Sequence, residues 1–284
     1  MGRFPAWLHK RVPSDGQGSK VSAVLRRLGL NAVCRSAHCP NLLECLAQGR
    51  ATFLLMGPRC TRNCAFCAVP WGPAQPLQPD EPQRVAQAAK ALGLRHVVLT
   101  SVTRDDLPDG GASHFAATIR AVRRLLPEST VEVLVPDFGG SEQAVLAVLG
   151  QRPEVFNHNV ETVARLYPAV RPQAAYGRSL QVLRWAAEGG GSLVKSGFMV
   201  GLGDSHEEVE GLLRDLRACG CRAVTIGQYL APSPRHYPVA EFVRPEQFEA
   251  YGRLARAMGF ERVASGAFVR SSYGAQEMLS GGAA

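Results

Sequence analysis

The sequence predicts an α/β fold built as a partial (β/α)6 barrel of the TIM type. Three observations lead there. Short β-rich runs alternate with helices of ten to fifteen residues, the pattern of a parallel sheet with right-handed crossovers. About six such repeats follow one another from residue 51. No GxGxxG follows the first strand, which disfavours an open dinucleotide-binding sheet.

The elements follow in order. Residues 1–50 read as an extension rich in Gly, Pro and Ser at its start, with a short helix over Lys20–Gly29. Ala51–Met56 is strand one and ends at Gly57-Pro58. Val85–Leu92 is helical and Gly93 stops it; His96–Thr100 is strand two. His114–Leu126 is apolar at helical spacing and ends at Pro127, and Val131–Val135 is strand three. Ser141–Leu149 is a helix with Ser141 as N-cap, and Val155–Asn157 is a short strand four. Ser179–Glu188 is a helix closed by three glycines, and Leu193–Val200 is strand five. Asp204 or Ser205 caps the next helix, with Glu208 placed for a capping box, and that helix runs to about Cys219. Ala223–Gln228 is strand six, Pro245–Met258 a final helix and Glu261–Ala264 a last strand. Three regions result: an extension over 1–50, a barrel over 51–260 and a C-terminal extension over 261–284.

No apolar run approaches the length of a membrane span, and the N-terminus carries no signal-peptide pattern. The expected compartment is the cytoplasm, where clustered cysteines serve as metal ligands rather than disulfides. The net charge of +8 is read either as a solvated arginine-rich surface or as attraction to an acidic partner. The basic residues are not interleaved with aromatics, so no nucleic-acid platform is expected.

Six of the eight cysteines fall in two sets of three. Cys34, Cys39 and Cys45 form C-x4-C-x5-C; Cys60, Cys64 and Cys67 form C-x3-C-x2-C directly after strand one. In a barrel the chemistry sits at the C-terminal ends of the strands, which puts the second set at the mouth. Zinc takes four ligands, commonly in paired short spacings; Cys64 and Cys67 could make one such pair with Cys60 as a third thiolate, and His38 could join the first set, but neither arrangement has the paired symmetry of a zinc ribbon. An iron–sulfur cluster on three thiolates leaves one iron open.

Cys-Thr-Arg-Asn-Cys-Ala-Phe-Cys (60–67) resembles the cysteine loop of the radical S-adenosylmethionine superfamily, which follows the first strand of a partial barrel. The first set, CRSAHCPNLLEC, resembles the auxiliary-cluster motif of the lipoyl synthases. The likeness continues through residues 79–82, 100–111, 135–138, 155–161, 195–203 and 227–233, and ends in Val-Arg-Ser-Ser-Tyr (269–273). Two departures stand out: Ala174-Ala175-Tyr176 where the family has Ala-Asp-Tyr, and Ala267 where proline is common.

The resemblance implies two 4Fe-4S clusters and S-adenosylmethionine as cofactors. The cluster on Cys60, Cys64 and Cys67 would bind the cofactor at its open iron and reduce it to a 5′-deoxyadenosyl radical. The radical would abstract hydrogen from C6 and then C8 of an octanoyl chain on a lysine. A second cluster, on Cys34, Cys39 and Cys45, would donate the sulfur. Its fourth ligand would be Ser272, with Ser271 the close alternative. Thr100, Ser101, Asn157, Asn159, Lys195, Gln228 and Tyr229 lie at strand ends or in strand five, where polar groups could hold the cofactor; each could equally be a satisfied core residue. Lys195, in an apolar strand, needs an anionic partner. Phe66 either contacts adenine or packs. The implied partners are octanoylated lipoyl carrier domains of 2-oxoacid dehydrogenase complexes or the glycine cleavage H protein, an electron donor and cluster-assembly proteins, with no nucleic acid and no membrane.

The remaining features read as structural. Gly201-Leu-Gly203 is a close backbone approach to ligand, Asp105-Asp106 caps a helix or turn, His158 makes a structural hydrogen bond, and Cys219 and Cys221 are buried hydrophobes. The rival readings are another sulfur-inserting radical enzyme, such as a biotin synthase or a tRNA methylthiolating enzyme, and a zinc-stabilised module that binds an acidic partner.

Overall fold

Eight strands form one sheet whose order follows the chain, β1 to β8, the connectivity of a (β/α) barrel. The computed structural model describes residues 4–10 and 18–280. Two compact units divide the chain: residues 12–62 with 68–156, here the N-terminal unit, and residues 1–11 with 63–67 and 157–284, the C-terminal unit.

In the N-terminal unit, α1 (Gly18–Arg27) leads to β1 (Asn31–Ala32), α2 (Val33–Ser36) and α3 (Leu42–Ala47). There follow β2 (Thr52–Leu55), α4 (Glu81–Leu92), β3 (His96–Ser101), α5 (Ala112–Leu125), β4 (Thr130–Leu134), α6 (Glu142–Leu149) and β5 (Val155–Asn157), whose last residue opens the other unit. β1 runs antiparallel to β2, pairing Ala32 with Phe53, whereas β2, β3 and β4 are parallel. Every residue of β2 is buried, as a strand covered on both faces requires. Phe53, Leu55, Leu99, Phe115, Ile119 and Val133 form its core. Ser141 caps α6, its hydroxyl accepting from the Ala144 amide, as predicted.

The turn that delivers the chain from β2 to Cys60 is held from below. Met56 adopts φ 66° and Gly57 φ 91°. Met56 can hold that left-handed conformation because its N–H donates to the buried Glu81 carboxylate at 2.9 Å, which also receives His114 Nε2–H at 2.6 Å. Gly111 leaves room for the Met56 thioether, which a Cβ there would strike.

The C-terminal unit contains α7 (Tyr167–Val170), α8 (Tyr176–Glu188), β6 (Leu193–Val200), α9 (His206–Ala218), β7 (Ala223–Gln228), α10 (Pro245–Ala257), β8 (Arg262–Gly266) and α11 (Ala275–Ser280). β6, β7 and β8 are parallel. Leu183, Val200, Leu213 and Ile226 are fully buried, and α10 packs on β7 and β8. Ser205, not Asp204, is the N-cap of α9, and Ser205 and Glu208 complete the capping box. Asp204 instead closes the preceding turn, accepting from the amides of Gly201 and Leu202 at 3.0 Å each. Ser205→Ala is expected to lower stability by about 1 kcal/mol, read as a lower urea midpoint at unchanged slope.

Three expectations are revised. The glycine pair 201–203 does not mark an approach to ligand. A Cβ on Gly201 would strike the Gln228 side chain and the Glu241 carbonyl, so the close approach is internal. Asp105 and Asp106 do not act as caps; each is the counter-charge of a buried arginine, Arg62 and Arg104 respectively. The region before residue 51 is more structured than one short helix, carrying β1, α2 and α3 besides α1.

Candidate active site

The first cysteine set lies wholly in the N-terminal unit. Cys34 sits in α2, immediately after β1, and Cys45 sits in α3. Cys39 lies in the turn between them, its amide donating to the Cys34 carbonyl at 3.0 Å. The antiparallel pairing of β1 with β2 brings Cys34 beside Thr52. Burial pushes the Cys34 thiol up, the nearby Cys39 adds to that, and hydrogen bonds from Thr52 oppose it.

The second set is held in two places. Cys60 belongs to the N-terminal unit, Cys64 and Cys67 to the C-terminal unit. Cys60 Sγ accepts two backbone N–H groups, from Arg62 at 3.4 Å and Thr103 at 3.3 Å. Such donors tune a cluster bound to the sulfur. Segment 63–67 is tied down within its own unit. Asn63 N–H donates to Gln173 at 2.6 Å, Ala65 N–H to the Val170 carbonyl at 2.9 Å, and Tyr237 N–H to the Ala65 carbonyl at 2.8 Å. His236 Nε2–H reaches the Cys67 carbonyl at 3.2 Å while Ser233 sits 2.8 Å from its Nδ1.

These six cysteines form no disulfide among the described residues and are of intermediate exposure, while Cys219 and Cys221 are buried, as expected of hydrophobes. Among the described residues no three His, Cys, Asp or Glu side chains converge as a single ion would require. A four-iron cluster takes one thiolate per iron and does not need them to meet at one point. Partly accessible thiols with N–H donors on Cys60 fit such a cluster.

A polar cluster gathers just past the end of β5 and along β6 in the C-terminal unit. Asn159, just past β5, donates from Nδ2 to Ser271 Oγ at 2.6 Å and to Glu161 at 3.1 Å. Lys195, almost fully buried in β6, donates from Nζ to the Ser271 carbonyl at 2.6 Å. Gly197 completes the cradle: a Cβ there would come within 2.9 Å of both Asn159 Oδ1 and Ser271 Oγ, and would strike Thr225. Glu161, at φ 66°, bridges to β6 through Gly197 and Met199. Burial pushes its carboxyl up, opposed by Arg171, Asn159 and Arg270.

The other expected residues fall as follows. Thr100 is buried at the end of β3 and donates to the Leu134 carbonyl at 2.9 Å. Asn157 is fully buried at the end of β5, and His158 beside it is buried, its amide donating to the Lys195 carbonyl at 3.1 Å. Ser101 Oγ and Asn159 Oδ1 are buried with no hydrogen-bond partner among the described residues. Gln228 and Tyr229 are occupied within the fold. The Gln228 amide donates to the carbonyls of Tyr229 and Glu241 and accepts from Val243 N–H, and the Tyr229 hydroxyl donates to the Tyr237 carbonyl at 2.7 Å. Sequence reasoning missed Glu161, Arg171 and Arg62. Glu161 lay in a quoted segment and Arg62 between two cysteines, but nothing in their spacing marks the partners they reach.

Comparison with known proteins bears on the same residues. The model of the radical SAM superfamily matches residues 54–216, which include Cys60, Cys64 and Cys67. A lipoyl synthase of Caldanaerobacter subterraneus is 56% identical over 98% of this chain and 98% of its own length. The chain belongs to the lipoyl synthase family. Lipoyl synthases of Rubrobacter xylanophilus and Nitratidesulfovibrio vulgaris are 56% and 53% identical, each over 96% of this chain and over 85% and 92% of their own lengths. Among solved structures, methylornithine synthase matches with TM-score 0.58 at 18% identity, over 74% of this chain and 62% of that one. A hydrogenase maturase from Carboxydothermus hydrogenoformans matches with TM-score 0.62 at 16% identity, over 81% and 56%. These two show the fold alone, and it is the partial α/β barrel predicted. Among the described residues no helix is long and apolar enough to cross a membrane.

Proposed function

We propose that Cys60, Cys64 and Cys67 hold the cluster that activates S-adenosylmethionine, and that Cys34, Cys39, Cys45 and Ser272 hold the sulfur-donating one. The reaction is that of a lipoyl synthase: insertion of two sulfur atoms, at C6 and C8 of a protein-bound octanoyl-lysine. The bound clusters and S-adenosylmethionine supply the electron, the hydrogen-abstracting radical and the sulfur. The observation that carries the assignment is the Cys60 thiol, placed just past β2 with two backbone N–H groups aimed at its sulfur.

The chain's own residues bind and orient. Asn159 Oδ1, buried without a partner, receives a polar group of S-adenosylmethionine. Glu161, held by Asn159, offers a carboxyl beside it, and Gly197 leaves room for the Asn159 and Ser271 side chains. Asn157 and Lys195 are buried in the same unit. Gln228 and Tyr229 act from behind by pinning residues 237–243. Ser271 is anchored by Lys195 and Asn159; the Ser272 hydroxyl is the ligand to iron that the family resemblance implies, with Ser271 the alternative. In this reading residues 1–50 and 261–284 are extensions that serve the auxiliary cluster, flanking a barrel over 51–260.

The partner is an octanoylated carrier domain of a 2-oxoacid dehydrogenase complex or the glycine cleavage H protein, met in the cytoplasm with an electron donor and cluster-assembly proteins. The test is incubation of the anaerobically reconstituted protein with an octanoyl-lysine peptide, S-adenosylmethionine and a reductant. A product carrying two added sulfurs supports the reading; cleavage of S-adenosylmethionine with no sulfur on the peptide contradicts it. The net charge of +8 predicts steering of an acidic carrier. Raising salt is then expected to lower kcat/KM for the whole carrier domain by about tenfold or more while leaving a neutral octanoyl peptide unaffected.

A further inference from the structure

Arg62 stands between two of the three cysteines of the second set, and its side chain turns into the protein, with 5% of its surface exposed. Its guanidinium holds two carboxylates at once. Nε and Nη2 donate to Asp105 at 2.7 Å each; Nη1 and Nη2 donate to Asp137 at 2.9 and 2.7 Å. Asp105 lies in the loop after β3 and Asp137 in the loop after β4, where it is fully buried. One side chain thus ties together three successive loops at the strand ends of the N-terminal unit.

The same residues control what reaches the Cys60 sulfur. Arg62 N–H is one donor to it, so the position of the Arg62 backbone sets that bond. Thr103 N–H is the other, and the loop that carries it is fixed to the neighbouring Thr61. Thr61 N–H and hydroxyl both reach the Thr103 carbonyl, at 3.1 and 3.0 Å, and Asp105 N–H donates back to the Thr61 hydroxyl at 3.1 Å. Asp137 is itself rigid, closing a turn through the Gly139 amide at 3.1 Å.

We infer that the Arg62–Asp105–Asp137 cluster is a positioning device that fixes the two N–H···S bonds on Cys60 and thereby tunes the reduction potential of the cluster bound there. This rests on the reading of Cys60 as a cluster ligand. Hydrogen bonds to the sulfurs and net charge are the levers by which a protein tunes such a cluster. Lysine cannot replace arginine here, since one ammonium cannot make paired hydrogen bonds to two carboxylates.

The test compares reconstituted wild type with Arg62→Lys, Asp105→Asn and Cys60→Ala by iron content, midpoint potential and electron paramagnetic resonance of the reduced cluster with and without S-adenosylmethionine. Amide exchange at Arg62 and Thr103 is followed in the metal-free chains. Arg62→Lys is expected to keep its iron, to shift the potential and the resonance, to speed exchange at both amides, and to cut S-adenosylmethionine cleavage by about 10- to 100-fold. Asp105→Asn removes one negative charge and is expected to raise the potential. Wild-type potential and resonance in both variants would overturn the proposal. If Arg62→Lys fails to fold, Asp105→Asn decides alone, because the Asp105 side chain is 42% exposed and tolerates a polar isostere. Cys60→Ala separates the two failures. If it keeps the resonance change on adding S-adenosylmethionine, the ligand assignment itself is wrong; if it loses that change while the other two variants behave as wild type, only the positioning role is wrong.

Discussion

Cys64→Ala and Cys39→Ala are expected to disable the enzyme in different ways. On the proposed assignment Cys64→Ala abolishes formation of 5′-deoxyadenosine, because the cluster proposed to reduce S-adenosylmethionine loses one of its three thiolates. Cys39→Ala still forms 5′-deoxyadenosine but adds no sulfur to the octanoyl chain. In each variant iron falls from about eight to about four per chain if each set holds one four-iron cluster. The division is the one the family resemblance implies, and the two sets differ in their surroundings. Cys60 receives two N–H bonds on a loop braced by the buried Arg62–Asp137 pair. Cys34 and Cys45 sit in helices of four and six residues, with the Cys34 thiol pushed up by burial. Quantifying 5′-deoxyadenosine and thiolated peptide side by side checks the prediction; identical losses in both variants would contradict it.

The second large effect separates two adjacent serines. Ser272→Ala is expected to stop sulfur insertion while leaving cleavage of S-adenosylmethionine intact. Ser271→Ala is expected to act more weakly and on both reactions. Ser271 has its carbonyl taken by Lys195 and its hydroxyl by Asn159, so its loss removes one hydrogen bond, a change of about 1–3 kcal/mol where the partner is left unsatisfied. Asn159 also holds Glu161, so that loss loosens the cofactor pocket rather than the auxiliary cluster. The readout is the ratio of thiolated product to 5′-deoxyadenosine for each variant. A ratio that collapses in Ser271→Ala and not in Ser272→Ala would reverse the assignment.

Much of the fold was legible because the chain alternates. β5, β6 and β7 have the predicted limits, and the boundaries of the longer helices differ by a few residues. α4 begins at Glu81, ahead of the predicted Val85, because Pro82 occupies its first turn, where proline is accommodated. The two-residue β1 and the short α2 and α3 were not legible. Segments that short carry no periodicity, and their conformation is dictated by the pairing of Ala32 with Phe53 and by the placement of the cysteines. The cysteine sets were legible from spacing, but their supports were not. Arg62 finds its carboxylates 43 and 75 residues away, and Asn159 finds Ser271 at a separation of 112. Gln228 and Tyr229 show the opposite case: polar residues at a strand end that resemble ligands in sequence and prove to hold backbone carbonyls in the fold.

The most direct test of the central claim is the amount of iron, acid-labile sulfide and zinc per chain after anaerobic reconstitution. The account predicts about eight irons and eight sulfides, from two four-iron clusters, with no stoichiometric zinc. About one zinc per chain with little iron would contradict it and favour a zinc-stabilised binding module instead.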